Sequence, residues 1–107
     1  MVNYQLGKIY KIVSGKTDDV YVGSTTKKTL AQRMAGHRCD YKRFLNGNKH
    51  YITSFEIVKH DDAEIVLLEH WPCNNKDELH KRERFWVEQF EMHVNRCIPS
   101  RTKNQYY

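Results

Sequence analysis

Three polar side chains sit where the apolar periodicity of this 107-residue chain requires hydrophobic ones. In the last helical stretch Leu79, Glu83, Trp86 and Phe90 follow one another at intervals of four, three and four, which puts Glu83 inside the apolar stripe. In an earlier stretch Arg33 and His37, one turn apart, share a stripe with Leu30, Met34 and Tyr41. Charges left unpaired in such surroundings cost several kcal/mol, so these groups need partners. The simplest economy is one shared cleft. If both helices pack on the sheet face that carries Tyr10 and Tyr21, five residues converge there: a carboxylate able to hold a metal, a cation and three ionisable groups.

Taken singly, each has a plainer reading. A buried Glu–Arg pair is a common structural feature. A half-buried tyrosine packs well on a strand, and a histidine on a helix can simply be satisfied in place. The coincidence of all five favours a site.

The elements that would position them are legible from patterning. Lys8-Ile9-Tyr10-Lys11-Ile12 and Val20-Tyr21-Val22-Gly23 alternate with period two, and Ser14-Gly15-Lys16-Thr17-Asp18-Asp19 between them is rich in turn formers, which predicts a β-hairpin. Tyr10 then shares a face with Lys8 and Ile12, and Tyr21 with Gly23. A helix is expected from about Thr29 to Leu45, stopped by Asn46-Gly47-Asn48. Thr53 or Ser54 is placed to cap a short helix through Phe55, Ile57 and Val58, ended by Asp61-Asp62. The mostly apolar run Ala63–Trp71, closed by Pro72, reads as a central strand buried on both faces and paired with the hairpin. Asn75-Lys76-Asp77-Glu78 resembles a capping box opening a helix to about Phe90. The tail from His93 has no clear periodicity.

Size bounds the answer to one compact domain over residues 1–107, with a flexible tail over 96–107 expected. No apolar run approaches the roughly 18 residues of a spanning helix, and the first residues lack a signal peptide's apolar core, so the chain reads as intracellular, cytoplasmic or nuclear, and not membrane-bound. Cys39, Cys73 and Cys97 are odd in number and widely spaced, which argues for reduced thiols rather than disulfides or paired zinc ligands.

The net charge of +5 is unevenly spread. Residues 1–50 carry ten Lys/Arg against three Asp/Glu, whereas residues 51–107 carry eight against ten. Lys27, Lys28, Arg33, Arg38, Lys42, Arg43 and Lys49 face one acid, Asp40, a density suited to a polyanion such as a nucleic-acid backbone. A solvated helix face is the plainer alternative.

At these residues the chain resembles the GIY-YIG nuclease family. The two strand signatures read Lys8-Ile9-Tyr10 and Tyr21-Val22-Gly23, the helix carries Arg33-x-x-x-His37, the last helix reads Arg82-Glu83-Arg84-Phe85-Trp86-Val87, and Asn95 follows. The likeness spans roughly residues 7–95. Lys8 stands where the family's name has Gly, and Gly7 lies one position earlier.

The resemblance implies an α/β fold with a small, mainly antiparallel three-stranded sheet flanked by helices, and hydrolysis of DNA phosphodiester bonds with a divalent metal. Glu83 would hold Mg²⁺ or Mn²⁺, hard cations that prefer oxygen ligands and keep several waters. Tyr10 would activate the attacking water and Tyr21 position the phosphate or water. Arg33 would neutralise charge developing on the phosphoryl oxygens. His37 would orient a tyrosine or share proton transfer, and Asn95 would support the phosphate or the metal's ligands. Lys27, Lys28, Arg38, Lys42 and Arg43 are the expected DNA contacts. A non-cleaving nucleic-acid-binding module and a structural interaction domain are the alternatives from other classes.

Overall fold

The structure, a computed structural model, describes residues 2–90. Asn95, Cys97 and the tail from His93 lie outside the described residues. After a single 3₁₀ turn at Tyr4–Leu6, the chain forms β1 (Lys8–Ser14), β2 (Thr17–Thr25), α1 (Leu30–Leu45), α2 (Phe55–Val58), β3 (Glu64–His70) and α3 (Lys76–Val87). The three strands make one antiparallel sheet in the order β2-β1-β3. This is the fold class expected from the sequence.

The hairpin is tighter than its turn-rich linker suggested. Both strands run into that linker, so that only Gly15 and Lys16 separate Ser14 from its partner Thr17. The acidic turn after α2 holds this tip from outside. Asp62 accepts hydrogen bonds from Ser14 Oγ at 2.5 Å and Gly15 N at 3.0 Å, and Asp61 pairs with Lys16 at 2.8 Å.

The middle of the sheet is β1, not β3. The run Ile65-Val66-Leu67-Leu68 reads as buried on both faces, yet β3 is an edge strand without a single fully buried residue. Leu67 is exposed, and the cover on the others comes from both sides: Ile65 packs against the cluster under α1 and α2, Leu68 against the one under α3. A continuous apolar run therefore records helices on two faces as readily as strands on two edges.

Those two clusters also overturn the expectation that both long helices pack on the tyrosine face. Tyr10, Ile12, Met34, Ile57, Val58 and Ala63 form one core with α1 and α2, joined by Tyr21. Ile9, Val22, Cys73 and Leu79 form another on the opposite face with α3, joined by Trp86 and Phe90. Period two decides the outcome, since Ile9 and Tyr10 are neighbours in sequence and must face opposite ways. Both faces of the hairpin are apolar enough to bury a helix.

The helix ends follow local chemistry. Thr29 caps α1 with a complete capping box to Gln32. The helix stops where Gly47 takes φ +80°, which lets Asn48 N return to Arg43 O at 2.8 Å. Asn75 accepts from Glu78 N at the start of α3, while the Glu78 side chain reaches Asn74 N, one residue earlier than a strict box. The regular helix ends at Val87, three residues short of Phe90. Ser54 sits at the start of α2, but neither it nor Thr53 caps the helix through its side chain; the Ser54 hydroxyl is used elsewhere.

Candidate active site

Tyr10 stands on the central strand opposite Gly23, and nothing but hydrogen occupies the glycine's side-chain position. A Cβ there would lie 2.6 Å from the Tyr10 hydroxyl, so the absence of one is what lets the phenol lie across β2. The hydroxyl meets two groups from α1: it lies 2.8 Å from Nε2 of His37 and accepts from Nε of Arg33 at 3.1 Å. Both are stripe residues of α1, which packs on this face. Tyr10 is 0 % exposed and His37 3 %. Tyr21, paired with Ile12 on β2, adds its ring to the same group, with centroids 6.5 Å from Tyr10 and 5.6 Å from His37.

Burial sets the protonation states. It pushes the His37 imidazole down to about 4, helped by the nearby Arg33 charge and opposed by Asp40, so the ring is neutral at pH 7. Burial, with the Tyr21 phenol beside it, pushes Tyr10 well above the usual tyrosine range despite the Arg33 guanidinium. Tyr21 is raised too, by burial and then by the charge of Glu83. Arg33 can only donate to the Tyr10 oxygen, which leaves the Tyr10 hydroxyl proton available to His37 Nε2; in that tautomer His37 Nδ1–H points to Ser54 Oγ at 3.3 Å. Ser54, 0 % exposed, is thus part of the site. It reads as a helix cap in the sequence, and no local signal shows otherwise.

Glu83 comes from the other face. Its rotation about α3 is set by two flanking residues: Arg82 forks onto Glu69 of β3, at 2.6 Å from Nε and 3.0 Å from Nη2, and the Trp86 indole donates to the same carboxylate at 2.9 Å. Arg82 also lies between the rings of Trp71 and Phe85, 4.5 and 4.2 Å from their centroids. With α3 clamped to β3 in this way, Glu83 faces edge strand β2 and accepts from Ser24 Oγ at 2.6 Å. Among the described residues it has no ion-pair partner. The buried Glu–Arg pair that its position suggested does not form; Arg33 is engaged by Tyr10 instead.

A groove of about 300 Å³ at the end of β2, lined by both Ser24 and Arg33, joins the two faces. Tyr10, Tyr21, Arg33 and His37 thus meet on one side of the sheet, and Glu83 reaches the edge of β2 from the other side through Ser24. Lys8, where the family signature has Gly, does not enter the cleft. It is 7 % exposed, and its ammonium ties the start of β1 to the loop after β2 by donating to Leu6 O at 2.8 Å and Lys27 O at 2.5 Å. Burial lowers its pKa.

The expected DNA contacts divide. Lys27 and Lys28 are exposed in the loop before α1, and Lys42 and Arg43 are exposed in its last turns, Arg43 only 4.0 Å from Asp40. Arg38 is half-buried and donates to Ala63 O at 2.8 Å, which fastens α1 to the start of β3. Cys39 is exposed and Cys73 buried, both as free thiols. No helix among the described residues is long and apolar enough to cross a membrane.

Residues 6–96 match the family model of the GIY-YIG catalytic domain, which is most of the chain. The chain belongs to the GIY-YIG family. Solved relatives agree with this fold. The catalytic domain of homing endonuclease I-TevI superposes with a TM-score of 0.54 at 27% identity, covering 82% of this chain and 97% of that one. A mutant of the catalytic domain of intron endonuclease I-TevI superposes with a TM-score of 0.53 at 30% identity, covering 78% of this chain and 81% of that one. No curated protein matches the sequence. The three-stranded antiparallel sheet with its helices is thus the GIY-YIG fold, and the family places the chain among nucleases.

Proposed function

We propose that this GIY-YIG domain is a divalent-metal-dependent endonuclease that hydrolyses DNA phosphodiester bonds. The observation that carries the reading is the neutral Tyr10–His37 pair, pinned by Arg33 at the edge strand where Glu83 arrives. The endonuclease names of the I-TevI structures support it.

The donor set fits one kind of metal. Among the described residues no three His, Cys, Asp or Glu side chains cluster into a cation site. Glu83 is a lone carboxylate without an ion-pair partner, held by one hydroxyl beside an open groove. Mg²⁺ or Mn²⁺, which keep several waters and accept one or two protein carboxylates, suits that arrangement. Bound there, the cation would neutralise a phosphate oxygen and lower the pKa of a water.

The chain's own residues supply the rest. Arg33 spends Nε on Tyr10 and leaves its terminal nitrogens for the phosphoryl oxygens, where charge grows in the transition state. The Tyr21 hydroxyl has no hydrogen-bond partner among the described residues and is half-buried beside Arg33, so it positions the phosphate or the attacking water. Tyr10 takes up a proton from that water as its own passes to His37 Nε2. In the free protein burial, and after it repulsion from Arg33, suppresses charge on His37. A phosphodiester bound to Arg33 relieves that repulsion, so substrate itself raises the basicity of the relay. Asn95, beyond the described residues, is proposed to support the phosphate.

Incubating the protein with supercoiled, linear and branched DNA in Mg²⁺, Mn²⁺ and EDTA tests the reading. Cleavage in either metal and none in EDTA is expected. Salt-sensitive binding without cleavage in any metal would instead assign the chain to non-cleaving recognition.

A further inference from the structure

The groove at the end of β2 carries cationic groups beyond Arg33, the one that the cleavage chemistry uses. Its lining includes Lys27 from the loop before α1, Arg33 from α1, and Lys76 and His80 from α3, and it includes no carboxylate. Among the described residues Lys27, Lys76 and His80 make no side-chain hydrogen bond or ion pair, although acids are plentiful on α3. Of the acids in its first turn, Glu78 turns back to Asn74 N, and neither it nor Asp77 lines the groove. Three cationic or protonatable side chains from two separate elements thus face one concavity whose lining holds no carboxylate to pair with them. Such an arrangement costs mutual repulsion, and a bound anion removes it.

The groove is also built rather than frayed. Lys27's backbone is held by Lys8 Nζ at 2.5 Å and by its own N–H to Thr25 Oγ1 at 3.1 Å. Ser24, Thr25 and Thr26 contribute hydroxyl-bearing side chains to the same wall. It adjoins the proposed cleavage site on both sides. Arg33 lines both, Ser24 binds Glu83, and His80 lies one turn before Glu83 on α3.

We propose that this groove is a second phosphate subsite, which holds the phosphodiester next to the scissile one on the same strand. Lys27 and Lys76 supply charge, and His80 supplies a directional hydrogen bond. The assignment rests on the nuclease reading and extends it, because it states which way the cleaved strand leaves Arg33: over β2 toward the start of α3, rather than along the Lys42–Arg43 end of α1. Holding a flanking phosphate fixes the scissile one against Arg33 and Glu83, so the subsite serves register.

The test replaces phosphates one at a time. A cleavage position is mapped on plasmid DNA and transferred to a short duplex, in which each phosphate around it is exchanged for an uncharged methylphosphonate. With the wild-type protein, one flanking replacement is expected to lower kcat/KM about tenfold. The exposed pair Lys76→Ala and His80→Ala, checked for an unchanged melting temperature, is expected to lose a similar factor on native DNA and to become insensitive to that one replacement, while keeping its sensitivity to all others. Lys27→Ala provides a second variant on a different element, with the same expected signature. An unaltered replacement profile in both variants overturns the subsite while leaving the nuclease reading intact. Failure of the wild-type protein to cleave or bind any of these duplexes overturns the nuclease reading, and the subsite with it.

Discussion

The Tyr10 hydroxyl and Nε2 of His37 stand 2.8 Å apart, both side chains buried in the free protein. A change of protonation at either group is felt by the other across this contact, and Arg33 Nε donates to the same Tyr10 oxygen. Tyr10→Phe removes one atom and breaks both contacts. We expect turnover to fall by at least about 10²-fold, the scale of a lost acid–base group. A buried His37 nitrogen and a half-buried Arg33 nitrogen also lose their partner, so stability should fall by about 1–3 kcal/mol. Denaturant titration beside single-turnover cleavage checks both; a variant that cleaves normally leaves Tyr10 as packing alone.

His37 ties stability to pH. Its folded value of about 4 lies below the ordinary 6.5, so between these limits the unfolded chain binds a proton that the folded chain refuses. Stability from this group is fully present above pH 6.5 and is lost as pH falls toward 4, amounting to about 3 kcal/mol across the window. The groups facing the ring are Arg33, Tyr10, Tyr21, Asp40 and Ser54. His37→Gln should be less stable at pH 7.5 and should flatten the slope between pH 6.5 and 4. An equal slope in both proteins, measured by urea unfolding at several pH values, assigns the acid lability to other groups.

Gly23 makes a sharper test of packing at the same spot. A methyl group at this position would fall 2.6 Å from the Tyr10 hydroxyl and 2.7 Å from Cζ, and the ring is held by His37 and Arg33 and has no easy retreat. Gly23→Ala should cost about 1–3 kcal/mol, as overpacking does, and should misalign the relay enough to lower turnover. Combined with Tyr10→Phe, which removes the nearest clashing atom, the two losses should sum to less than their separate values. Strict additivity in a double-mutant cycle would mean that the two residues do not press on each other.

Much of the candidate site's geometry was legible because misplaced polarity is a physical signal. Arg33, His37 and Glu83 interrupt apolar stripes, and each turned out to have a specific partner: Tyr10, Tyr10 again, and Ser24. Hairpin, helices and sheet partners followed from period and caps. Their arrangement in space did not. Nothing local separates two helices on one face from two helices on opposite faces when both sides of a hairpin are apolar, nor a buried central strand from an edge strand covered on each side. Ser54 and Ser24 were invisible for a different reason. A serine beside a helix start reads as a cap and a serine on a strand as neutral, and only tertiary packing brings either to a site residue.

Glu83→Gln separates metal binding from architecture. The amide oxygen still accepts from Ser24, and Arg82 and Trp86 still clamp α3 to Glu69, so fold and DNA binding should survive. Loss of the negative charge should abolish metal-dependent cleavage. Metal titration followed by intrinsic tryptophan fluorescence gives a readout independent of turnover, since Trp86 lies on the same helix. A folded variant that cleaves near the wild-type rate removes Glu83 from the site.

Arg33 and the pair Lys42–Arg43 lie on one helix but should have different jobs. Arg33 is turned inward to Tyr10, whereas Lys42 and Arg43 are exposed near the C-terminal end of α1, with the Arg43 guanidinium only loosely paired to Asp40 at 4.0 Å. An interaction that strengthens as charge builds on the phosphoryl oxygens is lost from kcat even at saturating DNA, so Arg33→Ala should reduce turnover by about 10²–10³. Exposed cations that meet the backbone equally in ground and transition states contribute to affinity alone. Lys42→Ala with Arg43→Ala should therefore weaken binding, reduce the slope of log K against log salt by roughly one unit per lost phosphate contact, and leave saturated turnover near wild type. Cleavage at saturating DNA measured beside binding across a salt series decides the division. It fails if Arg33→Ala changes affinity alone, or if the double variant keeps the full salt slope, because the cations of α1 would then act as one undivided face.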